Sequence, residues 1–245
     1  SLPDATETAA LAAAGTPVGP NTGLGRRYAD PEESEVVELG AKILLPTGYL
    51  NIAIFDQKIE GFQSNTFVGT GFILANAGSQ SSDGYEFDLV MSPTESIDLA
   101  ISGLFMDPIY DSFPNSAAGD LSGTMPSNIS EDTISSTITW NWNSSNWDGY
   151  FRLSHLYASE AKLLENPAWQ SILESAGNGI KTQDTLNISA GLEKENLSIM
   201  FWGKNINDDK YLISAFPAVA DPTFTTFFGY PNAYRSYGIT LNYMF

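Results

Sequence analysis

The chain of 245 residues carries 29 acidic against 11 basic side chains and has a formal charge of −18, with its basic residues scattered and no run longer than Arg26-Arg27. Binding nucleic acid needs clustered cations to release counterions, so a nucleic-acid partner is excluded. Cysteine is absent, which removes disulfides and thiolate metal sites, and the longest apolar runs fall far short of the roughly 18 residues of a membrane helix. A membrane β-barrel stays open, because its lipid-facing residues alternate with polar ones.

The start, Ser1-Leu2-Pro3-Asp4, has neither a basic n-region nor an apolar h-region and reads as carrying no secretory signal. Residues 1–33 form an Ala-, Gly- and Pro-rich extracellular loop or lead-in without periodicity, and residues 34–245 form a succession of strands. Period-two alternation predicts strands over residues 37–45, 49–60, 84–92, 97–105, 134–142, 147–158, 186–192, 197–205 and 237–245. The last is the clearest: Tyr237, Ile239, Leu241, Tyr243 and Phe245 line one face while Gly238, Thr240, Asn242 and Met244 line the other.

Short turns at Pro46-Thr47-Gly48, Pro93-Thr94-Glu95-Ser96, Asn143-Ser144-Ser145-Asn146 and Glu193-Lys194-Glu195-Asn196 alternate with long connections. A soluble sandwich turns about every 8–12 residues and does not collect its short turns at one end. An outer-membrane barrel does, with short periplasmic turns, long extracellular loops and an apolar band edged by aromatic side chains. Trp140, Trp142 and Trp147 flank one short turn and Tyr243 and Phe245 end the last strand, where such edging is expected. On this register Glu38, Lys42, Glu86, Asp88, Asp98, Arg152 and Lys204 lie opposite the apolar face, and seven charges there need water or a polar partner rather than a dry core. The predicted fold class is therefore all-β: an antiparallel transmembrane barrel segment of about nine strands.

The long segments, residues 107–126 and 211–231 among them, are polar, acidic and rich in Gly and Pro, and read as surface loops. Within another, Asn166-Pro167 followed by residues 168–176 and Gly177 offers an N-cap, a proline at the first helical position and a C-terminal glycine, which predicts a short helix.

Phe201-Trp202-Gly203-Lys204-Asn205-Ile206-Asn207-Asp208-Asp209-Lys210-Tyr211 resembles the penultimate-strand motif of TonB-dependent outer-membrane receptors. Gly229-Tyr230-Pro231, Tyr237-Gly238 and the terminal Tyr243-Met244-Phe245 match the family's ending, while upstream Asp30-Pro31-Glu32-Glu33 through Lys42 resembles the family's strand opening, and Asn76-Ala77-Gly78 followed by Gly84-Tyr85-Glu86-Phe87-Asp88 resembles its Asn-Ala-Gly, Gly-x-Glu pattern. Ile206 stands where Leu is usual. The resemblance covers about residues 28–245. It implies the C-terminal part of a 22-stranded barrel, with the plug domain, TonB box and earlier strands upstream of Ser1 or on another chain. It further implies a bacterial outer-membrane location, uptake of a scarce ligand such as a ferric siderophore, no enzymatic activity and no cofactor. The implied partners are outer-membrane lipid and lipopolysaccharide, the plug and remaining strands, the TonB complex and the outer-membrane assembly machinery.

Ligand contacts are expected from loop aromatics, with Trp169, Phe224, Phe227, Phe228 and Tyr230 as candidates. The alternative is a self-contained small barrel, structural or a passive porin, which calls for an even strand count. A hydrolase reading fails at Ser154-His155, since adjacent strand residues face opposite sides and no Gly-x-Ser-x-Gly accompanies them. The acidic pairs Asp107 with Asp111 and Asp208 with Asp209 lack the spaced ligands and glycine of a Ca²⁺ loop, so no metal site is expected. By the same resemblance Ile239, Leu241, Tyr243 and Phe245 form the signal read by the assembly machinery. Deleting Phe245 from the full-length receptor is expected to lower its assembled level in the outer membrane, and unchanged abundance would remove that role.

Overall fold

A strand that must show opposite chemistry on its two sides can do so only while its neighbours keep register, and here they keep it across nine strands. The computed structural model describes residues 30–68, 71–114, 116, 118–218, 221, 223 and 225–245. The expected lead-in over residues 1–29 and the candidate Phe224 lie outside these residues. The elements in order are β1 (Glu33–Leu45), β2 (Gly48–Val68), β3 (Gly71–Thr94), β4 (Ile97–Ser112), β5 (Asp132–Ser144), β6 (Trp147–Lys162), α1 (Pro167–Ser175), β7 (Ile180–Lys194), β8 (Leu197–Lys204), β9 (Leu212–Pro217), β10 (Phe227–Pro231) and β11 (Ser236–Tyr243). β1 to β8 and then β11 form one antiparallel sheet, with β1 and β11 at its two edges, and β9 and β10 pair separately. All nine expected sheet strands are present. Glu33, assigned to the lead-in, is the first residue of β1.

The register sorts the side chains cleanly. Leu99, Ile138, Leu153 and Ile188 stand side by side across β4 to β7 on one face. Lys42, Asn51, Asp88, Ser102 and Ser135 stand side by side across β1 to β5 on the other. The seven expected interior charges all fall on this polar face, where they find polar or aromatic neighbours. Arg152 Nε donates to Thr139 Oγ1 at 3.1 Å and lies over the Tyr150 ring, Asp98 accepts from Asn141 Nδ2 at 2.7 Å, and the Lys204 ammonium lies over Trp202. Ser154 points to the same face, bonded to Thr137, while His155 points to the apolar side.

Among the described residues nothing packs against the apolar face: Leu39 is 72% exposed and Leu241 65%. In water such a surface is a liability, whereas in hydrocarbon it is the required solvent-facing side. The band has chemical edges. Toward the short turns, Trp140 and Trp142 pack at 4.9 Å and Tyr243 meets Phe245 edge-on at 5.1 Å. Toward the long loops, Tyr85 stacks on Phe105 at 4.7 Å, and one residue row beyond them the outward positions become Asp56, Asp83 and Asp107, in register with one another. A carboxylate is tolerated at that depth and not at the midplane.

Several expectations are corrected: β4 runs on to Ser112, so residues 107–112 of the expected loop over 107–126 are strand, and β11 ends at Tyr243 rather than at Phe245. The stretch between residues 60 and 84 is not a loop: β2 and β3 continue their ladder through it, after a bulge at Gly61, whose φ is +65°. Past the row of aspartates neither face has to meet lipid, so the alternation vanishes from the sequence while the backbone pairing persists. Residues 211–231 likewise contain the β9–β10 hairpin, hidden in sequence by flanking Pro and Gly. β8 stops one residue short of expectation because Asn205 turns to φ +49°.

Gly238 shows why some polar-face positions carry no side chain. The Trp202 indole of the adjacent strand covers it, and a Cβ there would lie 2.2 Å from Trp202 Cζ2. Gly238→Val is expected to destabilise the β8–β11 pair by about 1–3 kcal/mol through overpacking. The readout is a smaller heat-modifiable, assembled fraction of the intact protein, with recovery when Trp202→Ala is added. No recovery would mean that the indole contact is not the cause.

Candidate functional site

At the long-loop end the chain builds small conventional cores. Phe62, Ala77, Tyr110, Phe113 and Leu121 are buried together, with Phe62 stacked on Tyr110 at 5.3 Å. Burial, with a hydrogen bond donated to Glu165, holds the Tyr110 phenol above its ordinary range. Glu165 also accepts from Ser127 Oγ at 2.7 Å, so one carboxylate ties the β4–β5 connection to the β6–β7 connection.

The predicted helix α1 follows. Asn166 Oδ1 caps it by accepting from Ala168 N at 3.0 Å and Trp169 N at 3.2 Å, Pro167 occupies its first turn, and Gly177 leaves it at φ +74°. Leu173 of α1 is buried with Leu163 and Ala215, and Leu212 and Phe227 of the hairpin pack on them. The inner face of the β9–β10 hairpin is thereby fastened to the helix.

The opposite face of the hairpin is left uncovered by the described residues. Phe216 pairs in register with Phe228 and lies 5.6 Å from it and 5.7 Å from Tyr230, ring centre to ring centre. The three rings form a tilted cluster, 43%, 56% and 56% exposed in the order Phe216, Phe228, Tyr230. At the hairpin tip Asp221 accepts from the backbone N–H groups of Thr223, Thr225 and Thr226 and from the hydroxyls of Thr223 and Thr225. These bonds, Thr223's hydroxyl first, hold its carboxyl far below the usual carboxylate range.

Of the candidates named from sequence, the structure brings Phe228 and Tyr230 together on this exposed face. Phe227 turns the other way onto the helix core, and Trp169 is half-buried on α1. Phe216, not anticipated, completes the cluster. Residues 212–217 carry no polar–apolar alternation, Ser214 being the one polar side chain among them, and a run ending in Pro217 and Ala218 resembles a loop more than a strand. Ile239, Leu241 and Tyr243 lie outward on β11, each more than half exposed, and Phe245 stands beyond its end.

The stem of the hairpin explains the Gly203-Lys204-Asn205 motif. Asn205 is 3% exposed and makes five hydrogen bonds: its backbone N–H donates to Asn187 Oδ1, its carbonyl accepts from Asp208 N, Nδ2 donates to the carbonyls of Asp209 and Ala233, and Oδ1 accepts from Asp209 N. Asn232 repeats the device from the other leg, donating to Asp209 O and accepting from Tyr211 N. Two amides thus close the stem across more than twenty residues of intervening chain. Around them Lys210 and Arg235 both face Asp208, at 3.0 Å and 3.9 Å.

A family model described as the TonB-dependent receptor-like β-barrel matches residues 2–206. The chain belongs to this family. No curated protein matches it. Among solved structures it is similar to the ferric yersiniabactin uptake receptor FyuA from Yersinia pestis, at 16% identity and a TM-score of 0.66, over 86% of this chain and 30% of that one. It is similar to the ferric preacinetobactin receptor BauA from Acinetobacter baumannii at 16% identity and 0.64, over 93% and 32%. The ferric-catecholate import receptor Fiu from E. coli K12 follows at 16% and 0.62, over 88% and 28%. The chain therefore spans about 30% of the length of these receptors. At such identities the likeness establishes the fold, a portion of a TonB-dependent barrel. The family is one of transporters and receptors, and its barrels reside in the bacterial outer membrane.

Within this TonB-dependent barrel segment, Asn205→Ala orphans the buried partners of its side-chain amide, at a cost of about 1–3 kcal/mol per group. The expected result in the full-length receptor is protease cleavage within residues 206–235 with the barrel band intact. Cleavage unchanged from wild type would show that the amide does not hold the stem.

Proposed function

We propose that this chain forms the C-terminal wall and outer loops of a TonB-dependent receptor that takes up a scarce ligand of the ferric-siderophore kind across the bacterial outer membrane. The observation that carries this reading is the pairing of an uncovered apolar band with a charged polar face that has no core of its own. A wall built in this way separates lipid from a wet or plug-filled interior. FyuA, BauA and Fiu, to which the chain is similar, are named for ferric ligands. The plug domain and remaining strands complete the interior, the TonB complex supplies energy through a part of the receptor outside this chain, and lipid and lipopolysaccharide surround the band.

The open sheet supports this reading over a self-contained small barrel. Such a barrel must pair its first and last strands, and here β1 and β11 stand at opposite edges of an odd-numbered sheet. Ligand contacts fall to the hairpin aromatics Phe228 and Tyr230, with Trp169, Phe224 and Phe227 as the further loop aromatics named from the sequence. Ile239, Leu241, Tyr243 and Phe245 serve as the assembly signal. They combine an apolar outward row with a terminal aromatic, which an assembly factor reads while the lipid-facing side is still uncovered.

The test is uptake by iron-starved cells. Disrupting the gene for the full-length receptor is expected to abolish accumulation of radiolabelled iron from at least one ferric chelate in a panel, with restoration by the intact gene and no restoration when TonB is removed. Accumulation unchanged across the panel would overturn the iron-chelate reading and leave another scarce nutrient as the cargo.

A further inference from the structure

The β9–β10 hairpin presents aromatic surface and no positive charge. Between Leu212 and Pro231 the sequence contains a single ionisable acid, Asp221, and no Lys or Arg. Lys210 and Arg235, the nearest cations along the chain, sit at the stem and face Asp208. The α1 segment beneath the hairpin adds Glu165 and Glu174, and the chain as a whole carries −18. Asp221 is no neutralised bystander, because five donors from the tip hold it ionised in its place.

A ligand docking on Phe216, Phe228 and Tyr230 therefore meets three ring faces whose quadrupoles attract positive charge, a fixed carboxylate at the tip and a negative surround. An anionic chelate would lose its water there without gaining a cation. An uncharged or cationic chelate loses less and gains ring contact. From this surface, and resting on the iron-chelate uptake proposed above, we infer that the hairpin selects a ferric chelate carrying no net negative charge, which it grips through its flat or apolar parts.

Charge complementarity is the deciding argument. A surface built to bind a polyanionic chelate presents free guanidinium or ammonium groups among its aromatics, and this hairpin has none in its sequence. Covering three rings that are each about half exposed supplies the apolar contact, and Ser214, opposite Tyr230 in the ladder, is the position from which a cation would reach the same face.

The experiment uses the purified full-length receptor and two probes, a neutral ferric tris-hydroxamate and a trianionic ferric tris-catecholate, with binding read by quenching of intrinsic fluorescence. The tris-hydroxamate is expected to bind at least about tenfold more tightly. The triple variant Phe216→Ala, Phe228→Ala, Tyr230→Ala should lose about tenfold in that affinity while its heat-modifiable, assembled fraction stays at the wild-type level. Ser214→Lys is expected to narrow the gap by strengthening tris-catecholate binding. Tighter binding of the tris-catecholate by wild type, or a triple variant that binds the tris-hydroxamate normally, would overturn the inference and leave iron-chelate uptake standing. Binding of neither probe, together with failure of the uptake panel, would remove the uptake reading and this inference with it.

Discussion

Every backbone N–H and C=O that enters hydrocarbon has to find its partner inside the protein, because no water is there to supply one. That requirement forces the nine strands into a single ladder and fixes the register from which everything else follows. Once the ladder is set, alternate side chains face opposite solvents without further instruction, so Leu153 faces the apolar side because Arg152 and Ser154 do not. The same requirement makes β1 and β11 unfinished, since each has one side of its backbone paired and one side open. The ladder is complete only with strands that lie outside this sheet, and the family to which the chain belongs has them.

Beyond the register row of Asp56, Asp83 and Asp107 the rules change. Lipid no longer borders β2 and β3, and the chain reverts to the habits of soluble proteins: helix capping at Asn166, aromatic stacking at Phe62 and Tyr110, buried leucines under α1. The molecule is thus inside-out along one half of its length and conventional along the other. The boundary is drawn by three carboxylates rather than by any break in the strands.

This boundary also decides what was legible in the sequence. Strands 97–105 and 147–158 were readable because a lipid side and a wet side impose strict alternation on them, and the short turns were readable because they recur between such strands. Residues 61–83 were not, since Ser79, Ser81 and Ser82 alternate with nothing, yet the ladder carries on through them past the bulge at Gly61. Helix α1 was legible from its cap, its proline and its C-terminal glycine, which are local signals. The aromatic cluster was legible in part: Phe228 and Tyr230 stood out as loop aromatics, but Phe216 joins them only through the ladder between β9 and β10, and pairing across an irregular tip leaves no period to read. The family motif around Asn205 was recognisable as a string, while its work as a hydrogen-bonding stem became visible only when Asp209 and Ala233 were seen on either side of its amide.

The stem formed by Asn205 and Asn232 carries a consequence for how such a receptor changes over evolutionary time. Because the two amides close the chain beneath the hairpin, β8 and β11 meet in the same register whatever lies between residues 211 and 231. The hairpin is in effect an exchangeable cassette: its length, charge and aromatic content can drift or be swapped without disturbing a single rung of the membrane ladder. Selection for a new cargo can then act on some twenty residues while the wall, which has to satisfy lipid, stays as it is.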